Sequence, residues 1–506
     1  MTEETKDKSF FGHPKGLQTL FMTEMWERMS YYGMRGILVL FMTAMLQEGG
    51  LGLTTVTATA IYGLYTSSVY FMGLPGGWIA DRLIGGKKAI WYGGIVIMCG
   101  HIVLAIPNES SFFVGLILVA LGTGLLKPNI TAVVGQLYGS EDERRDAGYA
   151  IYYMGINIGS LIGYFVCGYL MESAGWHYAF GAAAVGMGLG LTQFYLTHRN
   201  LPEVSDKPSV HISASGRKKS WSIIGIFLIA LAVVTALTLA GTISIDAVSL
   251  AEKTAIALSI LFVVYFGFIY FFGKLDPTEK KGMWALLLIC IASACFWSGF
   301  EQAGSSLNLF ARDYTDRMIS TFEIPTAWFQ SVNSFFIIVL TPFFAAFWVK
   351  LGKRMVTPGY GLKTAFGLII MGSGFIVMVF AAHIAAGGGK SAAFFLILTY
   401  FLHTVGELCL SPIALSAVSK LSPRRYMGQM MGLFIFTYSI GSIIAGLLAG
   451  GFDPDNVSEM PSLFQFIATF SIGVGAVVLL IGMFSRKWEQ EVVERKEVLE
   501  EVRDEK

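Results

Sequence analysis

Residues 17–46 read LQTLFMTEMWERMSYYGMRGILVLFMTAML. About 20 mostly apolar residues suffice to cross a bilayer as a helix. The run is long enough, yet it carries Glu24, Glu27, Arg28 and Arg35. A charge at the centre of a spanning helix costs about 2.5–3.5 kcal/mol on insertion scales, so such residues face protein or a water-filled cavity. Glu24, Glu27 and Arg28 stand at i, i+3 and i+4 and share one helix face. Arg35 follows Arg28 by seven residues, two turns on along that face. Two acids beside one base exceed what neutralising Arg28 requires.

Working outward, thirteen more apolar runs follow, at 55–80, 88–106, 112–134, 146–171, 176–197, 221–242, 251–273, 282–309, 327–349, 363–386, 392–419, 427–450 and 462–485. Unpaired backbone groups are not tolerated in hydrocarbon, so each reads as a helix. The ten-residue alternation of a membrane barrel is absent. The predicted fold class is an all-α membrane protein with 14 transmembrane helices. The composition agrees. Of 506 residues 54% are apolar and 14% charged, where a soluble domain carries about 25% charged. Mean hydropathy is +0.61. A net charge of +1 gives no reason to expect a nucleic-acid partner.

Placing the N-terminus in the cytoplasm and alternating sides puts 29 of the 36 Lys and Arg inside. Lys253, Arg312, Arg317 and Lys390 fall outside, and Arg28, Arg35 and Lys127 fall within spans. Cytoplasmic loops are the basic ones, so both termini are expected inside. The runs divide as six, two and six. The expected parts are an N-terminal bundle (1–197), a cytoplasmic linker (198–220), two additional helices (221–281), a C-terminal bundle (282–485) and a charged cytoplasmic tail (486–506). GGWIADRLIGGKK (76–88) and WVKLGKR (348–354) place Gly and basic residues at corresponding inner turns of the two bundles, as in transporters built from repeats. Gly155, Gly159 and Gly163 recur every four residues, a spacing for close helix packing. Ser411–Pro412 reads as a helix break, and the tail as a solvated helix. The N-terminus, with Lys6, Lys8 and Lys15, lacks a signal-cleavage pattern.

Three further charges sit in spans: Lys127, Glu301 and Glu407. Four acids against three bases leave one surplus carboxylate, which a single proton relieves. Lys127 has no acid nearby in sequence, so its partner belongs to another helix, with Glu407 and Glu301 as candidates. Asn157 and Asn333 add donors and acceptors. Tyr31, Tyr32, Tyr70 and Trp297 offer aromatic walls with polar tips. Cys99, Cys167, Cys290, Cys295 and Cys409 lie in apolar runs and read as reduced thiols. No metal motif and no hydrolase constellation such as HExxH or GxSxG occurs in the spans. Neither an enzyme nor a metal centre is expected.

At these residues the chain resembles the proton-dependent oligopeptide transporter family of the major facilitator superfamily. Glu24-Met-Trp-Glu27-Arg28-Met29-Ser30-Tyr31-Tyr32-Gly33 is similar to that family's ExxERFxYYG. GTGLLKPN (122–129), YYMGINIGSL (152–161), FEQAGSSLN (300–308) and GELCLSPIALSAVSKLSP (406–423) resemble further family blocks in the same order. The resemblance implies a bacterial symporter that imports di- and tripeptides by alternating access. It would lie in the inner membrane and need no cofactor beyond protons as the coupling ion. It implies that Glu24, Glu27, Arg28, Glu301, Glu407 and Lys127 serve proton coupling, with Lys127 and Glu407 pairing in part of the cycle. Arg35 and Lys127 would take the peptide carboxylate. Asn157, Asn333 and Glu407 would take its amino terminus. Tyr31, Tyr32, Tyr70 and Trp297 would line the side-chain pockets. The chain departs from the pattern at Met29, at Phe300 before Glu301, and at Phe434. The first and last bear on pocket shape, and Phe300 on the number of coupled protons. A basic wall facing an acidic wall suits a short dipolar ligand and reads length rather than sequence. Relatives with anion cargo keep the alternative of nitrate open, because fold does not dictate substrate.

Overall fold

The computed structural model describes residues 9–139, 142–353, 359–454 and 456–504. Lys6, Lys8, Lys506 and Arg354 of the basic turn 348–354 lie outside the described residues. The helices are α1 (Lys15–Thr43), α2 (Thr55–Ile79), α3 (Gly86–Leu104), α4 (Glu109–Gln136), α5 (Arg145–Ser173), α6 (Trp176–Thr197), α7 (Ala214–Leu239) and α8 (Ala247–Phe272). They continue as α9 (Pro277–Phe300), α10 (Ser306–Asp313), α11 (Trp328–Lys353), α12 (Tyr360–Ala386), α13 (Ala393–Leu421), α14 (Met427–Ala449) and α15 (Met460–Asp504). Among the described residues, strands are confined to two-residue pieces. Thr315–Asp316 pairs in parallel with Ser391–Ala392, and Met318–Ile319 antiparallel with Phe322–Glu323.

Among the described residues, twelve helical spans are apolar and long enough to cross a membrane by length and composition, with α9 and α10 forming one of them. α1 and α2 bring the number to the expected fourteen. α1 has 29 residues but is interrupted by its four charges. α2 has 25, thinned by Thr55, Thr57, Thr59, Thr66, Ser67 and Ser68. α7 has no buried residue. Ile226, Ile229, Val263 and Phe271 on α7 and α8 are among many large apolar side chains left exposed. Hydrocarbon is the solvent for which such a surface is built.

Two compact units emerge. One comprises residues 1–53 and 68–250, the other 54–67 and 251–506. In the first, Leu17 and Leu20 of α1, Ile90 and Ile97 of α3, Leu126 and Ile130 of α4 and Met187 and Leu191 of α6 form one packed cluster. α5 lies against α1 through its glycines. A Cβ at Gly159 would collide with the Met25 carbonyl and stand 3.0 Å from the Arg28 Cβ. Gly159→Val is therefore expected to destabilise this unit by about 1–3 kcal/mol, the usual cost of overpacking. Thermal melting of the purified protein checks this, and an unchanged melting temperature would contradict the packing.

The linker is more ordered than its polarity suggests. Leu201 joins the core cluster and Ser205 is buried. Lys87 pairs with Asp206 at 3.0 Å, and the Val210 amide donates to the Asp81 carbonyl at 2.9 Å. α7 begins at Ala214 rather than 221, capped by the Ser213 hydroxyl.

In the second unit, two expectations fail for identifiable reasons. The helix does not break at Ser411–Pro412, because α13 runs through Pro412 without interruption. Neighbouring helices in a membrane protein satisfy the carbonyl that a proline frees. The interruption falls instead between α9 and α10, where Glu301–Gly304 form a 3₁₀ turn and Ser305 has φ −125° and ψ −100°. A Cβ at Gly304 would strike the Tyr62 ring, so the turn can approach α2 only with glycine there. The tail is not simply solvated. α15 continues to Asp504 as one helix, and Glu489 within it is only 3% exposed. Its carboxylate accepts from the amides of Tyr360 (2.7 Å) and Gly361 (3.3 Å) at the start of α12. Lys496 donates to the Ser422 carbonyl past the end of α13 at 2.6 Å. Helix ends leave these groups without intrahelical partners, and the tail supplies them.

Candidate functional site

In the first unit the α1 charges are buried together. Glu24 and Glu27 are 0% exposed, Arg28 1% and Arg35 4%. The Arg28 guanidinium pairs with Glu27 and, at 3.2 Å, with Glu24. Breaking such a buried pair strands a charge and costs about 3–5 kcal/mol. A cluster of two acids and one base therefore favours states in which a proton or a further cation balances the set.

Aromatic rings surround these cations. Arg28 lies 5.0 Å from the Tyr31 ring centroid and Arg35 lies 5.6 Å from that of Tyr32. Tyr32 also meets Tyr164 at 5.8 Å. Lys127, on α4 directly before Pro128, places its ammonium 4.8 Å from the Tyr70 centroid. Cation–π contacts hold such side chains in place without cancelling their charge. Asn157 on α5 donates to the Tyr153 carbonyl at 3.0 Å.

The second unit carries the other two acids of the set, Glu407 and Glu301. Glu407 on α13 accepts from the Asn333 amide at 3.1 Å, and the same amide nitrogen donates to Thr404 at 3.0 Å. Thr404 in turn donates to the Tyr400 carbonyl at 2.7 Å. These bonds fix the Glu407 carboxylate in a largely buried position. Glu301 occupies the first position of the turn that ends α9 and is 1% exposed. The Tyr62 hydroxyl donates to it at 3.3 Å. Gln302 braces the turn by donating to the Ala445 carbonyl of α14 at 3.0 Å. Trp297, one turn earlier on α9, packs on Tyr438 at 4.5 Å and Phe300 at 5.1 Å. Phe434 meets Tyr438 at 5.4 Å.

Within the first unit the structure thus joins Glu24, Glu27 and Arg28, stacks Arg28 on Tyr31, and sets Arg35 and Lys127 over Tyr32 and Tyr70. Within the second it joins Asn333 to Glu407. Three partners escaped the sequence reading: Tyr62, Thr404 and Tyr438. Thr404 lies one turn before Glu407, and its spacing on one helix face was the available signal. Tyr62 and Tyr438 come from α2 and α14, and nothing local connects either with the residue it touches on α9 or beside it. Among the described residues, no group of three or more His, Cys, Asp or Glu side chains is placed to hold a metal ion. All five cysteines are free thiols.

A family sequence model described as PTR2, POT family, matches residues 87–462 of this chain. The chain belongs to the POT family. The peptide transporter YePEPT of Yersinia enterocolitica subsp. palearctica serotype O:3 (strain YE-P4) is 38% identical over 489 residues, covering 94% of this chain and 95% of that protein. A di-/tripeptide transporter of Lactococcus lactis subsp. cremoris is 34% identical over 490 residues, covering 94% of this chain and 96% of that one. A crystal structure of a peptide transporter POT in complex with sulfate superposes with a TM-score of 0.89 at 39% identity, over 95% of this chain and 96% of the other. This POT family member is an all-α membrane protein with the major facilitator fold, and its relatives are transporters rather than enzymes.

Proposed function

We propose that the protein is a symporter that imports di- and tripeptides together with protons by alternating access. The observation that carries this reading is the separation of charge. The first unit holds Arg35 and Lys127 beside a buried acid–base cluster, and the second holds the buried acids Glu407 and Glu301. A zwitterionic peptide needs a cation for its carboxylate and an anion for its ammonium. Arg35 and Lys127 take the carboxylate, and Asn157, Asn333 and Glu407 take the amino terminus. Tyr31, Tyr32, Tyr70 and Trp297 accept the side chains through aromatic surface, which discriminates weakly among them. Glu24, Glu27 and Glu301 exchange protons. Arg28 balances the α1 acids, and Lys127 pairs with Glu407 when the site is empty. No cofactor is required, because the proton gradient supplies the driving force. The membrane is the bacterial plasma membrane, with both termini cytoplasmic as the basic loops require.

Competition for uptake of labelled di-alanine tests the cargo. Unlabelled dipeptides and tripeptides of varied sequence should compete, whereas tetrapeptides and nitrate should not. Displacement by nitrate, with no response to peptides, would overturn the reading.

A further inference from the structure

In the second unit, the end of α8, the first turns of α9 and the α15 extension border an open surface cavity of about 480 Å³. Tyr270, Lys280, Lys281, Trp284 and Trp488 line it, together with Leu275 and Pro277. We propose that this cavity binds the headgroup of an anionic phospholipid. None of these residues belongs to the charge set described above.

The chemistry is that of a membrane–water boundary. Trp and Tyr concentrate at headgroup level, where a ring with a polar tip meets both phases. Trp284 is 52% exposed and donates its indole N–H to the Tyr270 hydroxyl at 3.1 Å. Close in sequence to the lining residues, Phe268, Phe271 and Phe272 of α8 and Ile481 and Phe484 of α15 are exposed, apolar surface suited to acyl chains. Two cations line the cavity itself. Lys281 is shared with Glu491 at 2.7 Å. Lys280 is exposed, lies 5.6 Å from the Tyr270 centroid, and makes no ion pair among the described residues. The neighbouring acids are otherwise engaged, Glu279 with Arg425 at 3.2 Å and Asp276 with Arg495 at 2.8 Å. Lys280 is thus the charge left for a phosphate, with Lys281 beside it. Basic pockets between helices at the membrane surface are the sites that anionic headgroups select. A zwitterionic lipid adds an ammonium or trimethylammonium that Lys280 repels, so the preference is for net negative charge.

The test uses the full-length protein in nanodiscs of phosphatidylcholine containing brominated phosphatidylglycerol or, in parallel, brominated phosphatidylcholine, with tryptophan quenching as the readout. Brominated phosphatidylglycerol should quench more at equal mole fraction. Each lysine near the surface contributes roughly a fivefold preference, so the excess should shrink by about that factor in Lys280→Gln, which leaves the Lys281–Glu491 pair intact. It should vanish in the Lys280→Gln, Lys281→Gln double variant. In a Trp284→Phe, Trp488→Phe background the excess should also disappear, which assigns it to this cavity. Equal quenching by the two lipids, or an excess unchanged by Lys280→Gln, would overturn the proposal. So would loss of the excess on adding millimolar inorganic phosphate, since the site would then be one for the free anion.

Discussion

Glu27→Gln is expected to abolish uphill uptake of di-alanine while leaving peptide exchange between equal pools intact. Glu27 is fully buried and its carboxylate pairs with Arg28. Glutamine keeps the shape and most of the hydrogen-bonding capacity but neither carries charge nor titrates. The cluster of Glu24, Glu27 and Arg28 then changes from one surplus negative charge to balance, with no reason to take up a proton. Exchange moves loaded carrier in both directions and needs no net proton transfer, so it survives. Because a buried pair is worth about 3–5 kcal/mol when broken from one side, the variant should be compared for melting temperature as well. A folded Glu27→Gln protein that still concentrates peptide against its gradient would show that coupling resides elsewhere.

The second large effect is expected at Glu407. Its carboxylate, held by the Asn333 amide at 3.1 Å, is the acid assigned to the peptide ammonium. Removing one member of a buried, hydrogen-bonded charge pair costs about 2–5 kcal/mol. Glu407→Gln should therefore weaken di-alanine binding by roughly thirtyfold or more. The assignment has an internal control. N-acetyl di-alanine lacks the ammonium, so it should bind the parent protein weakly and the Glu407→Gln protein no more weakly still. Equal losses for both ligands in the variant would show that Glu407 acts on the site as a whole and not on the amino terminus.

Much of this was legible in the sequence because the membrane imposes strong rules. Length and apolarity gave the spans, and the cost of charge in hydrocarbon singled out Glu24, Glu27, Arg28, Arg35, Lys127, Glu301 and Glu407. Close packing of α5 could be read from Gly155, Gly159 and Gly163, because backbone approach needs small residues at a helical period, whereas α1 as the partner could not. What escaped depended on distant partners. Pro412 looked like a break, yet α13 continues through it. At the break, Glu301–Gly304, Tyr62 meets Glu301, a contact between residues 239 positions apart. The tail's alternating charges resembled a solvated surface. Glu489 and Lys496 are instead spent on the open ends of α12 and α13, and neither helix end is visible from the tail's own sequence. Likewise, Asn333 could be singled out as polar in an apolar span, but its bond to Glu407 crosses 74 residues.

Peptide and proton are expected to cross the membrane together. Purified protein in liposomes, with a pH dye inside and an imposed inside-negative potential, tests it most directly on addition of di-alanine outside. The expected result is acidification of the lumen that requires both protein and peptide, and that is absent with Glu27→Gln. Entry of labelled di-alanine without acidification, or no acidification in a preparation that still binds di-alanine, would contradict it.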